Sequence, residues 1–314
     1  MPGLVLTTVV TTSPERAVQS RADVPGVDVV ASLDGLDADV VVLATPNRTH
    51  VPLGLQLVEA GLPVVVDKPL GRTAQEGERL VRAAEAAGVL LTVFHNRRWD
   101  ADVRTACRLL ADGTLGRPLR LETRFERWRP VPREGWRESP DPDDGGGLLL
   151  DLGSHQVDVA AHLLGRVVQV YAEVDVRRAG AQVEDDVMLA LTHASGARST
   201  HWLSATAAHL GPRLRLLGSR AAYVAQDLDL QEAALRDGLP AWDAPTPDGL
   251  LACGDDDVRA VASERGDYRL FYAELERALR GLGPVPVEPR EALAVLRLLD
   301  AARVSAATSR VVSL

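Results

Sequence analysis

Of the 35 basic residues in this 314-residue chain, one is a lysine, Lys68, and the rest are arginine. Arginine keeps its proton at any accessible pH and binds as a planar fork, whereas a lysine amine is compact and its proton affinity yields to its surroundings. Lys68 is therefore a candidate for chemistry that needs an amine. A second group is Gly145-Gly146-Gly147 followed by Asp151, His155 and Asp158. Asp151 and His155 are four residues apart and share one face of a helix, where a carboxylate can orient an imidazole and stabilise its charged form. They form a candidate general acid/base pair. A histidine on an amphipathic helix is more often a packed residue than a catalyst, but glycines just ahead of it let backbone approach a ligand closely.

These residues need a scaffold, and the hydrophobic pattern supplies one. Leu4 to Val10, Val27 to Val30, Asp39 to Ala44, Val64 to Val66 and Val89 to Phe94 read as apolar strands. Helices separate them, one opened by Ser13-Pro14-Glu15, one from Asn47 to Ala60, and one capped by Thr73 with Glu76 and stopped at Gly88. Apolar strands alternating with single helices predict a parallel sheet covered on both faces. Ligands bind such sheets beyond the carboxyl ends of the strands. Three successive ends carry polar tips: Thr45-Pro46-Asn47-Arg48-Thr49-His50, Asp67-Lys68-Pro69 and His95-Asn96-Arg97-Arg98-Trp99.

The rhythm then changes. A helix from Trp99 to Ala111 leads to a long alternating strand from Leu119 to Trp128, an Arg/Pro/Asp/Gly-rich stretch and a helix from about Leu150 to Leu164. Five strands follow between Val167 and Ala225, with Ser195-Gly196 as a hairpin turn, and then helices at Tyr268 to Arg280 and Arg290 to Ala307. The fold class is thus α/β plus α+β: a Rossmann-type parallel sheet at residues 1–97, then a mainly antiparallel sheet with flanking helices at residues 98–314. The loop Asp237 to Asp257 carries no recognisable chemistry.

Bulk composition narrows the partners. A net charge of -9 argues against nucleic acid and anionic membrane, while leaving room for a local basic pocket. Cys107 and Cys253 lie far apart without metal-ligand spacing, which fits a reducing cytoplasm. No apolar run reaches the length of a membrane span, and the N-terminus lacks the features of a secretion signal.

The motifs ATPNRTH (Ala44 to His50), DKP (Asp67 to Pro69, in the place of the more usual EKP) and GGGLLLDLGSHQVD (Gly145 to Asp158) resemble those of the Gfo/Idh/MocA oxidoreductases, in register over nearly the whole chain. FHNRRWDAD, DLQEAALRDG and GDYRLFYAEL are similar to a subgroup of NADP-dependent scyllo-inositol dehydrogenases. The resemblance implies hydride transfer between a sugar or polyol hydroxyl and a nicotinamide. In it Lys68 bonds the reacting hydroxyl and the nicotinamide ribose, His155 takes the hydroxyl proton, and Asp151 positions substrate and His155. It also implies that Thr45, Pro46, Asn47 and His50 line the nicotinamide half of the cofactor, with Asp67 near its ribose. Arg97, Trp99 and the segment Arg124 to Trp136 are expected substrate contacts, and a homo-oligomer is expected by analogy.

Set against the family, the chain starts at what matches the second strand, so one βα unit with its glycine-rich phosphate turn is expected to be missing. Poor dinucleotide binding and weakened folding would follow, with activity expected once upstream codons encoding that unit are restored. The strand end at Thr11-Thr12-Ser13, with Arg16 nearby, offers no carboxylate expected to repel a 2'-phosphate, so NADP is expected over NAD. Two other readings compete. Asp151, His155, Asp158 and His162 form a helical stripe that could serve a metal-dependent hydrolase. A non-catalytic sugar-binding protein that lost its cofactor would also keep the pocket.

Overall fold

The computed structural model describes residues 3–254 and 256–314. Its first part runs β1 (Thr8–Val10), α1 (Pro14–Asp23), β2 (Asp28–Val30), β3 (Val41–Leu43), α2 (Asn47–Glu59), β4 (Val64–Asp67), α3 (Ala74–Ala87) and β5 (Leu91–Phe94). β3, β4 and β5 pair in parallel, Val42 opposite Val65 and Val65 opposite Thr92. The Val64-Val65-Val66 run is wholly buried because its alternating side chains enter two different cores. Val64 and Val66 join the main cluster with Leu57 and Leu80, whereas Val65 joins Trp99, Phe271 and Leu275. The second face of the parallel sheet is thus covered from far along the chain.

β1 and β2 pair only with each other among the described strands, Val9 opposite Val29, so the parallel strands form two sheets rather than the one expected. Val30 and Val42 are 40% and 44% exposed, unlike the buried valines of β4. α1 buries no residue fully, which leaves this first unit lightly packed.

The remainder comprises α4 (Ala101–Ala111), β6 (Pro118–Glu126), α5 (Leu148–Asp151), α6 (Gly153–Leu164), β7 (Val167–Asp175), β8 (Asp186–His193), β9 (Arg198–Ser204), β10 (Leu214–Gly218) and β11 (Ala222–Ala225). It continues with α7 (Gln231–Arg236), β12 (Gly249–Ala252), β13 (Val258–Val261), α8 (Arg269–Leu279), α9 (Pro289–Thr308) and β14 (Val312–Ser313). Nine strands form one sheet in the order β13-β12-β11-β10-β6-β9-β8-β7-β14, antiparallel except where β6 runs parallel to β9. β8 alternates half-exposed and buried residues along its whole length, as a sheet with one packed face should. α9 packs on β7, α6 and α3, and so joins both parts.

The predicted helix over residues 150–164 is two helices, broken at Leu152. The region assigned to a featureless loop contains β12, which pairs with β11 through Leu251 opposite Tyr223 and carries β13 on its other edge.

Candidate active site

Lys68 sits at the carboxyl end of β4, and its ammonium donates to two oxygens of Asp151, the carbonyl and Oδ1, both at 2.8 Å. The two side chains are 13% and 14% exposed, so the pair is largely shielded. Asp151 is the last residue of α5, just ahead of the break at Leu152. Its carbonyl oxygen accepts from Lys68 and from Ser154 Oγ. Burial works against the charged form of Asp151, yet Lys68, Arg137 and Arg127 together hold its carboxyl below the usual range.

His155, in the first turn of α6, is almost fully buried and its Nδ1 has no hydrogen-bond partner among the described residues. Burial first, then the charges of Lys68 and Arg97, draw its pKa well below the ordinary histidine value. The imidazole is therefore neutral at pH 7 and able to accept a proton. The expected orientation of His155 by Asp151 is not made: the Asp151 carboxylate bonds Lys68 instead.

The glycines also act differently from the expectation. A Cβ on Gly146 would lie 2.6 Å from Ser139 O, and one on Gly147 would run into the Glu184 carboxylate. Their smallness lets the turn Trp136–Glu138 and Glu184 close on the start of α5, where Gly147 N donates to Arg137 O and Leu149 N to Glu184 Oε1. That packing delivers Arg137 to Asp151, with Nε 3.5 Å from Oδ1.

Among the residues expected near a cofactor, Thr45 and Asp67 stand half-exposed at the ends of β3 and β4. Asp67 gives one oxygen to Lys68 N, and burial raises its pKa against the pull of Lys68. A ribose needs hydrogen-bonding groups of this kind, so these strand ends fit the nicotinamide half of a dinucleotide. Asn47 is buried and donates weakly to Gly145 O at 3.4 Å. His50 is 1% exposed, with both ring nitrogens 2.8 Å from backbone oxygens, those of Pro69 and Thr45. It staples the loops after β3 and β4 together, so its ring has nothing left for a cofactor, and Pro46 only leads into α2.

At the end of β1, Ser13 caps α1 by accepting from Arg16 N, and Thr11 Oγ1 accepts from Ser13 N. Thr12 and Arg16 are exposed beside them. The expectation of no carboxylate there is corrected: Ser13 Oγ donates to Glu15 Oε2 at 2.7 Å.

Arg97 is buried against Asp100, Tyr268 and Glu232, with its Nε unpartnered among the described residues. Trp99 packs with Phe271 in the second core and donates its indole N–H to Glu274, so it is a packing residue rather than the expected substrate contact. The metal reading fails on geometry. Asp158 is held by two hydrogen bonds from Arg98, His162 faces Cys107 Sγ, and no three metal-ligating side chains gather among the described residues.

Sequence reasoning assigned no role to His95. It follows β5, is fully buried with Nδ1 unpartnered among the described residues, and feels the charges of Asp158, Arg98 and Lys68. Its place in the third strand-end tip was the available signal. A separate cavity of about 420 Å³ is lined by Trp99, Arg104, Cys107 and His162 and includes none of Lys68, Asp151 or His155.

Comparisons with known proteins bear on the family and the fold. Residues 1–95 match the model of an oxidoreductase family with an NAD-binding Rossmann fold, and residues 103–224 match the GFO/IDH/MocA C-terminal domain. The chain is 37% identical over 303 residues to the oxidoreductase YdgJ of Escherichia coli, covering 93% of this chain and 86% of that one. It is 32% identical over 312 residues to the scyllo-inositol 2-dehydrogenase (NADP(+)) IolW of Bacillus subtilis, covering 95% and 86%. The solved structure of the Bacillus subtilis oxidoreductase YvaA superposes with a TM-score of 0.91 at 31% identity, over 99% of this chain and 91% of that one.

Proposed function

Since the chain belongs to the Gfo/Idh/MocA family of NAD(P)-dependent oxidoreductases, we propose that it moves a hydride between a secondary hydroxyl of a sugar or polyol and NADP, with NAD as the second choice. One observation carries the reading: a single lysine fixed by two Asp151 oxygens beside a buried neutral histidine with a ring nitrogen that has no hydrogen-bond partner among the described residues. Lys68, pinned through two of its three N–H bonds, has one left to hold the reacting hydroxyl oxygen. His155 accepts the hydroxyl proton, and its low proton affinity keeps it in the accepting form at neutral pH. Asp151 orients Lys68 rather than His155. The bound dinucleotide supplies the hydride acceptor, with Thr45 and Asp67 holding its nicotinamide ribose. Names of relatives support the substrate class: besides the inositol enzyme, a 1,5-anhydro-D-fructose reductase of Ensifer adhaerens is 32% identical over 164 residues. A reducing cytoplasm and assembly with copies of itself belong to the same reading.

Arg16 favours a 2'-phosphate and Glu15 opposes it, so cofactor choice is tested at both positions. The purified protein is offered inositols and aldoses with NADP or NAD while dinucleotide reduction is followed. Turnover with a higher kcat/KM for NADP, reversed by R16A and sharpened by E15Q, is expected. Turnover with neither dinucleotide, alongside calorimetric binding of the sugar alone, would favour the non-catalytic alternative.

A further inference from the structure

The rim of this site is strongly basic in a protein whose net charge is -9. Beyond β6 the chain stays extended. Arg127 N donates to Ser204 O, Arg129 N to Ala205 O, and Trp128 bridges to Thr206. In extended backbone alternate residues face the same way, so Phe125, Arg127 and Arg129 form a ladder from the core outward. Phe125 is buried, Arg127 and Arg129 are half-buried, and Trp128 on the opposite side is 58% exposed. The Arg127 guanidinium lies 5.4 Å over the Phe125 ring. It is close enough to Asp151 to help hold that carboxylate ionised. Arg133 and Arg137 approach from the loop that the glycines dock onto α5.

The carboxylates around this rim are engaged elsewhere. Glu138 is taken by Arg178, Glu232 by Arg97 and Asp151 by Lys68. Arg127, Arg129 and Arg133 have no side-chain hydrogen bond or ion pair among the described residues. These three guanidiniums, two of them on hydrogen-bonded backbone, repel one another; the charges of Asp151, Glu232 and Glu138 offset that repulsion only in part, and a bound anion would relieve it.

We propose that the substrate is an anionic sugar or polyol, bearing a carboxylate or a phosphate that Arg127 and Arg129 receive while its hydroxyl lies at Lys68. The inference rests on the dehydrogenase reading and adds the charge of its substrate. Guanidinium forks suit both groups, and their charge-assisted bonds are stronger than those a neutral hydroxyl makes.

The test sets gluconate and glucuronate, glucose 6-phosphate, and neutral glucose and inositol side by side at low salt. At least one charged class should exceed its neutral counterpart by about tenfold or more in kcat/KM. That advantage should shrink in high salt and fall in R127Q and R129Q through KM rather than kcat, with R127K restoring part of it. The carboxylate and phosphate arms tell the two sources apart. Equal or better turnover of the neutral compounds would overturn the proposal and leave the dehydrogenase reading standing. If nothing is turned over, calorimetry decides. Binding of gluconate or glucose 6-phosphate that weakens in R127Q upholds the anion site, and heats no different from glucose reject it.

Discussion

Lys68 and Asp151 are coupled so that each removal has its own signature. Lys68→Ala leaves a largely buried carboxylate without its cation, which should cost about 3 kcal/mol of stability and confuse folding with catalysis. Lys68→Arg separates the two effects. It keeps a charge beside Asp151 but replaces a compact amine by a planar fork, so we expect a melting temperature close to that of the native chain and a kcat lower by about a hundredfold or more. Near-normal turnover in that variant would remove Lys68 from the chemistry. The proton acceptor makes a separate claim on pH. Burial and the neighbouring cations lower the pKa of His155, so substrate oxidation should hold its kcat/KM from pH 8 down through 6.5 and fall only in more acid solution. In His155→Asn that titration should vanish along with most of the rate; an unchanged acid limb would assign it to another group.

At the scale of elements, the site depends on how closely the loop around Arg137 can lie on the start of α5. A methyl group on Gly146 would push against the carbonyl oxygens of Ser139, Arg137 and Trp136, backbone atoms that cannot swing aside. We expect Gly146→Ala to cost about 1–3 kcal/mol and to raise KM as Arg137 moves off Asp151, with kcat less affected. A variant with native stability and KM would mean that the loop is free to shift. What was readable in the sequence and what was not follow from this kind of contact. The strand ends and the capped helix α3, with Thr73 Oγ1 accepting from Glu76 N and Gly88 left-handed at its end, are written in local residue types. The Lys68–Asp151 bond is not, because it joins residues 83 positions apart. β12 escaped notice because its four residues become a strand only by pairing with β11. Trp99 looked like a ligand-facing aromatic until α8 folded over it.

For the molecule as a whole, the nine-stranded sheet carries a buried polar chain that sets its tolerance of acid. Thr123 Oγ1 and Ser199 Oγ flank the two ring nitrogens of His201 at 2.6 and 2.9 Å, and Ser199 Oγ also meets His193 Nε2 at 3.0 Å. His193 in turn reaches Gly165 O through Nδ1 at 2.8 Å, linking β6, β8 and β9 to the end of α6. Burial, then the charges of His193 and Arg213, bring the pKa of His201 down to about 3. Burial lowers His193 as well, against the bond to Gly165. A histidine whose proton affinity is lower in the folded state binds fewer protons there than in the unfolded chain. Its contribution is therefore complete above about pH 6.5, and it is lost as the pH falls from there toward 3. For His201 alone the loss at pH 5 is about 2 kcal/mol, a large share of the stability of an ordinary domain. Melting should therefore drop between pH 7 and pH 5 even without substrate or cofactor. In His201→Gln, which loses the titration but keeps hydrogen-bonding groups for Thr123 and Ser199, the drop should be shallower, although the variant starts lower at pH 7. Parallel acid limbs in the two proteins would place the sensitivity in other groups and leave this chain of hydroxyls and imidazoles a purely structural link.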